Sequence, residues 1–300
     1  NKEYLDEMRG SFSSGRVALP WVQYSAQRAY TEEDRYEYRL TSGVAIWSIT
    51  YRVAQDYKQI IDLNTDPATK GIMSAYGPNN NQIAAARTML AYIFLNLVDS
   101  FGDIPYYSYG NPDPDFQALN INATLQPKFA SQAKVYADIL KELKESAAMV
   151  ETDKVVFTAG DGLFGSGVKL KKFANSLRLR VATRVKGVIP GAEAHITEAI
   201  AGGVMESNAD TVGLTYQNDL VAPSPMYNDF RTRSDLAISK TFVELLKGTR
   251  GNFGLDPRLF QYATPKGVVK SLILAGTSPV STNPADFNGM PYGIASSAAT

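Results

Sequence analysis

Residues 82–106 read QIAAARTMLAYIFLNLVDSFGDIPY. Ile83, Ala86, Leu90, Ile93, Phe94, Leu97, Val98 and Phe101 recur at three- and four-residue steps, which places them on one broad face of a helix over 82–101. Gly102 supplies the left-handed cap that closes such a helix, and Pro105 stops it from continuing.

Helices are expected on both sides of this one. Upstream, Trp47, Tyr51, Ala54, Tyr57, Ile60 and Ile61 give an apolar, aromatic face to a helix over 34–63. A shorter helix follows Pro67 as far as Tyr76, and residues 77–81 (GPNNN) have turn and cap composition. Downstream, four prolines among asparagines and aspartates make 105–130 a long ordered loop. Helical periodicity resumes over 131–150 and 169–186, the latter ended by Gly187 and Pro190, and again over 192–201 and 234–247. Residues 204–233 and those after Gly267 are turn-rich, with short strand-like pieces such as 268–274. Amphipathic helices of this length and order suggest pairs stacked face to face, although no strict 34-residue repeat is present.

Bulk composition removes whole classes of chemistry. Thirty Lys and Arg balance thirty Asp and Glu, so no net field draws the chain to nucleic acid or an anionic bilayer. The absence of cysteine excludes disulfides, thiolate nucleophiles and Cys-ligated metals, and His195 alone cannot build a multi-histidine site. No run of about 18 apolar residues is seen. The opening residues and the loop-like residues 296–300 read as edges of a longer polypeptide, so any signal peptide or lipid-bearing cysteine is expected outside the chain.

The segment from Ala84 to Tyr92, followed by Asp99-Ser100-Phe101-Gly102-Asp103-Ile104-Pro105-Tyr106, closely resembles the hallmark of SusD/RagB proteins: an Arg-x-x-x-Ala-Tyr-like helix ending in a Phe-Gly-Asp-x-Pro turn. Residues 172–180 (KFANSLRLR) resemble the family's next signature helix, and 233–239 with 256–259 resemble its later blocks. The resemblance runs from about Trp21 to Tyr292. It implies a mainly α fold of tetratricopeptide-like helix pairs with long ordered loops and minor β elements, the SusD-like α-α superhelix. Residues 1–300 would form a single SusD-like domain, incomplete at the C-terminus because family members are usually longer. It also implies a surface-exposed lipoprotein of the outer membrane, with its lipid anchor outside this chain. Such a protein captures glycans, or in some relatives peptides, and hands them to a SusC-type TonB-dependent transporter.

Trp21, Gln23, Tyr24, Tyr30, Arg35 and Tyr36 set aromatics beside amide and guanidinium groups. Sugar C–H faces pack on flat rings while amides and Arg forks meet the hydroxyls, so the segment suits a carbohydrate platform; packing against the next helix competes with that reading. Tyr106, Tyr107 and Tyr109 follow the Phe-Gly-Asp-Ile-Pro turn on a loop, where exposure would make them ligand or transporter contacts. Trp47 reads as core, and His195 as an exposed or capping residue. The basic run Lys169, Lys171, Lys172, Arg178, Arg180 and Arg184 reads as a solvated face. Asn111, Asp113, Asp115, Asn120 and Asn122 match no EF-hand spacing and read as turn chemistry, not calcium ligands.

The function expected is non-enzymatic capture of oligosaccharide or polysaccharide, with no cofactor, metal or catalytic residue. A glycoside hydrolase using paired carboxylates is the main alternative, since that chemistry needs neither Cys nor His. A helical-repeat adaptor for a protein segment is the third class.

Overall fold

Serine hydroxyls open three of the helices by one chemistry. In the computed structural model, which describes residues 1–37, 39–217 and 221–294, the side chains of Ser131, Ser166 and Ser239 accept from the backbone N–H three residues on. The elements in order are α1 (Lys2–Arg9), α2 (Leu19–Trp21), β1 (Ser25–Gln27), α3 (Val44–Thr65), α4 (Lys70–Met73), α5 (Asn79–Phe101), α6 (Gln132–Met149), α7 (Gly167–Arg184) and α8 (Ala192–Ala201). Then come α9 (Pro225–Phe230), β2 (Leu236–Ile238), α10 (Lys240–Leu246), α11 (Leu259–Tyr262) and α12 (Lys270–Leu274). About half of the residues are helical, as the mainly α expectation required.

The chain divides into two compact units. One comprises Asn1–Tyr4 with Trp47–Thr215, the other Leu5–Ile46 with Tyr216–Thr300. In the first unit α5 packs on α6, α6 on α7 and α7 on α8, each helix covering the face of its successor. Ile93, Phe94, Leu97 and Val98 of α5 are fully buried, as are Ile139 and Leu143 of α6 and Leu170 of α7. By length and composition α5 could cross a bilayer, contrary to the sequence expectation, but 78% of its apolar window is buried inside the protein, as in a core helix. Gly102, at φ 78°, closes α5 with its N–H on the Val98 carbonyl at 3.1 Å. Ile104 and Ala130 then bridge across the base of the 105–130 loop.

The second unit is built around a two-stranded antiparallel ribbon. Ser25 faces Ile238, Ala26 faces Ala237 and Gln27 faces Leu236. Behind it Val243, Leu246, Leu259 and Phe287 form a small core.

Three sequence expectations are corrected. The helix expected over 34–63 begins only at Val44. The Asp34 N–H is taken by the Gln27 side chain at 3.0 Å and Tyr36 sits at φ 57°, and neither is compatible with a helix there. Within 234–247, residues 236–238 form β2 and the helix starts at Lys240. Conversely the strand-like 268–274 contains helix α12, with the Ala275 N–H bonded to the Ser271 carbonyl at 3.0 Å. A short apolar run has no periodicity that separates strand from helix. Residues 296–300 lie outside the described residues.

Candidate functional site

The platform segment is held by hydrogen bonds that its own sequence supplies. Gln27 is pinned on three sides: its backbone N–H donates to the Asp34 carboxylate at 2.8 Å, its Nε2 donates to Glu33 at 2.8 Å, and its Oε1 accepts from the Asp34 N–H. All three side chains are about 1% exposed, so this frame is shielded from competing water. Burial raises the Asp34 carboxyl above its ordinary range, a pull only partly opposed by the backbone N–H groups of Gln27 and Gly293. Arg16 and Arg39 flank the frame, each ion-paired with Glu32 and Glu33.

The same segment carries a strained backbone. Among the described residues four non-glycine positions have positive φ: Gln23 (58°), Tyr30 (57°), Tyr36 (57°) and Leu119 (62°). Three of them lie in the platform segment. A non-glycine residue in this region costs on the order of 1–3 kcal/mol and persists only where its surroundings over-determine it, as at ligand clamps.

The ribbon brings α10 and α11 beside the segment. The Ser239 N–H donates to the Tyr24 carbonyl at 3.1 Å, and its hydroxyl donates to the Gln23 carbonyl. The Tyr24 ring then stacks on Phe242 at 4.5 Å and 21°, and Phe242 on Tyr262 at 6.1 Å and 21°. Tyr24 is 50% and Tyr262 56% exposed. Beside this stack runs a cleft of about 490 Å³, completed by Leu19, Ile238, Leu246 and Arg258. The Arg258 Nε lies 3.0 Å from both oxygens of Asp256, whose carboxyl is held down to about 2, first by that side-chain bond and then by the Arg258 backbone N–H. The guanidinium thus reaches the cleft with its charge neutralised.

A second aromatic group adjoins in sequence. The Tyr36 hydroxyl donates to the Trp21 carbonyl at 3.2 Å and accepts from the Gln23 Nε2 at 3.3 Å, while its ring lies 6.1 Å from that of Tyr292. Tyr292 in turn donates to the Pro20 carbonyl at 2.5 Å. Tyr30 lies under the Arg16 guanidinium at 4.7 Å. Arg35 is directed elsewhere, to the Thr31 carbonyl and to Glu37.

Tyr106 and Tyr107 belong to the other unit. Tyr106 is corrected: it is 1% exposed, packed between Phe94 and Phe116, and donates to Asp138 at 3.1 Å, so it anchors the loop from within. Tyr107 is half-buried under the Lys58 ammonium, and its phenol is pushed up by burial. Tyr109 is exposed but has the Arg87 guanidinium over its ring at 4.9 Å. Trp47, expected in the core, is only half-buried, among Tyr51, Phe101 and Phe129. His195 is half-buried and accepts from the Arg178 Nε at 2.7 Å. Among the described residues no group of three His, Asp or Glu side chains is arranged to hold a metal. Asp113 and Asp115 meet Lys134 and Lys128 instead.

Phe242, Tyr262, Arg258 and Tyr292 escaped the sequence reading of the site. Each is an ordinary residue in its own stretch, and it takes the β1–β2 register and the Ser239–Met290 bridge to bring them to Tyr24 and Tyr36.

Comparison with known proteins follows the same lines. The family model SusD-like_2, described as "Starch-binding associating with outer membrane", matches residues 4–300. Curated proteins give no match. Among solved structures the chain resembles a chitin-binding protein at TM-score 0.71 and 23% identity, over 96% of this chain and 57% of that one. A SusD homolog from Parabacteroides distasonis ATCC 8503 gives 0.68 and 20%, over 99% and 57%. A chitin-binding SusD homolog from Flavobacterium johnsoniae gives 0.66 and 21%, over 96% and 54%. At these identities the likeness is one of fold, and the chain spans a little over half the length of these structures.

Proposed function

The chain belongs to the SusD-like family described as starch-binding and associating with the outer membrane, and from that membership we propose that it captures glycan chains without cleaving them. Capture takes place on the aromatic surface of the unit formed by Leu5–Ile46 and Tyr216–Thr300. The observation that carries this reading is the exposed stack Tyr24–Phe242–Tyr262 along a cleft of about 490 Å³. Ring faces receive sugar C–H groups, and phenols and Arg258 answer the hydroxyls. Ser239 fixes the backbone at Tyr24 through the Gln23 and Tyr24 carbonyls, so less ordering is left to be lost on binding. Trp21, Gln23, Tyr30 and Tyr36 extend the surface.

Capture is preferred to hydrolysis because the cleft is lined by aromatic and aliphatic side chains with Arg258, whose neighbouring Asp256 is engaged in an ion pair. We place the protein at the cell surface of an outer membrane, anchored by a lipid outside this chain, with a SusC-type TonB-dependent transporter as the recipient. The family description and two chitin-binding neighbours support a carbohydrate ligand. Calorimetric titration with soluble starch, chitin and other oligosaccharides, with product analysis of the same mixtures, tests the proposal. Heat of binding without released sugar is expected; released sugar would replace capture by hydrolysis.

A further inference from the structure

A second, much smaller cleft lies against Tyr30 in the same unit, and its size decides what it can hold. At about 70 Å³ it is about a seventh of the volume of the cleft beside the Tyr24 stack, which suits a substituent carried by a sugar ring. The walls are Phe12, Ala29, Tyr30, Phe230 and Leu236, so the body of the substituent is apolar.

The polar groups lining the cleft narrow the choice further. Gln27 has both ends of its amide engaged, by Glu33 and by the Asp34 N–H. Arg233 is tied to Asp235 through Nε at 2.7 Å. Arg16 gives its Nε to Glu33 at 3.3 Å, but its Nη2 is buried, has no hydrogen-bond acceptor, and lies 3.7 Å from the nearest carboxylate oxygen, on Glu32. The Arg16 Nη2 is thus only loosely answered by Glu32, and a neutral acceptor within reach would complete its hydrogen bonding. Both guanidiniums are already paired and Asp235 lines the same space, so a carboxylate or sulfate would lose its water for no uncompensated cation. What fits is a neutral group with a methyl for the apolar walls and a carbonyl oxygen for the Arg16 donor.

We propose that this cleft is a subsite for the acetamido substituent of an amino sugar, with the methyl among Phe12, Phe230 and Leu236 and the carbonyl oxygen facing Arg16. It rests on the glycan reading of the neighbouring platform and makes that reading specific, since a chain lying on the platform with its acetamido groups toward Tyr30 is held in one register.

Two experiments on the purified chain separate the subsite from the platform. Saturation-transfer NMR with N-acetylglucosamine at millimolar concentration should place the strongest saturation on the acetyl methyl, and Ala29→Leu, which fills the cleft, should abolish that pattern. Ring protons saturated above the methyl, or no saturation at all, would overturn the subsite. Calorimetry with β-1,4-linked hexamers should show the N-acetylglucosamine chain binding about tenfold tighter than the glucose chain, a ratio falling to about one in Ala29→Leu. Equal affinities in the wild type sink the subsite and leave the platform standing. If neither hexamer binds while the monosaccharide methyl is saturated, the platform is wrong and the subsite survives. A thermal unfolding curve for Ala29→Leu matching the wild type confirms that the variant folds.

Discussion

Arg87 on α5 donates through Nε to Glu142 on α6 at 2.8 Å, with both side chains only about 5% exposed. Glu142 also accepts from the Ser108 hydroxyl and the Gly110 N–H, so the same pair holds the loop that follows the Phe-Gly-Asp-Ile-Pro turn. Removing Arg87 leaves the buried Glu142 carboxylate with the Ser108 and Gly110 donors but no close cation, Lys141 being 3.9 Å away, and takes a partner from Glu145 as well. Arg87→Met is predicted to cost about 3–5 kcal/mol of stability, and Arg87→Met with Glu142→Leu to recover part of it. Urea denaturation of both variants checks this; a double variant less stable than the single one would contradict it.

A steric constraint of a different kind holds the platform. A Cβ on Gly289 would lie 2.2 Å from the Ser239 carbonyl oxygen and 2.4 Å from the Lys240 backbone. The chain at Met290, an isolated bridge to Ser239, is bonded on both sides of that point, to Ile238 at 2.8 Å and to Lys240 at 2.6 Å. Gly289→Ala must push the two segments apart, with an expected loss of about 1–3 kcal/mol. Because Ser239 holds Tyr24, glycan affinity should fall as well. Thermal unfolding and titration of the same variant read both effects, and unchanged affinity would disconnect Gly289 from the site.

The aromatic stack makes a graded prediction. Tyr24→Ala and Tyr262→Ala each remove one exposed ring and should weaken glycan binding about tenfold, while Phe242→Ala breaks both contacts and should weaken it more. Trp21→Ala should weaken binding without altering the helical circular dichroism spectrum. A Tyr24→Ala protein with wild-type affinity would remove the stack from the binding surface.

His195 gives the stability a pH dependence. Its pKa lies below 6.5, first through burial and then through the Arg178 charge, opposed by Glu198 and reinforced by Lys144. Below about pH 6.5 the unfolded imidazole takes up a proton that the folded one does not, so the unfolded state gains and stability falls as the pH drops. Between about pH 7.5 and pH 5.5, wild type should lose more stability to urea than His195→Gln. Equal losses would show that the imidazole is not responsible.

Helix order and most helix ends in the first unit were legible in the sequence because each element there buries a long periodic stripe against the next. The reading of 169–186 was off by two residues at each end, since the capping Ser166 lies upstream of the apolar pattern. The second unit was less legible. Its shape depends on Ser25 meeting Ile238 and on Gln27 bonding Asp34, relationships that leave no periodic trace. Tyr24 and Trp21 could be suspected from composition alone; Phe242 and Tyr262 could not, and Tyr106 looked exposed because its buried partner Asp138 lies 32 residues away.

The ribbon that joins residue 25 to residue 238 also bears on the order in which the molecule acquires its shape. Each of α5 to α8 finds its partner within a few tens of residues, and loops that short close quickly. The segment carrying Trp21, Tyr24, Tyr30 and Tyr36 must wait for a strand more than 200 positions further on. During synthesis the ribbon cannot close until Leu236–Ile238 has been made, by which point α5 to α8 are already complete.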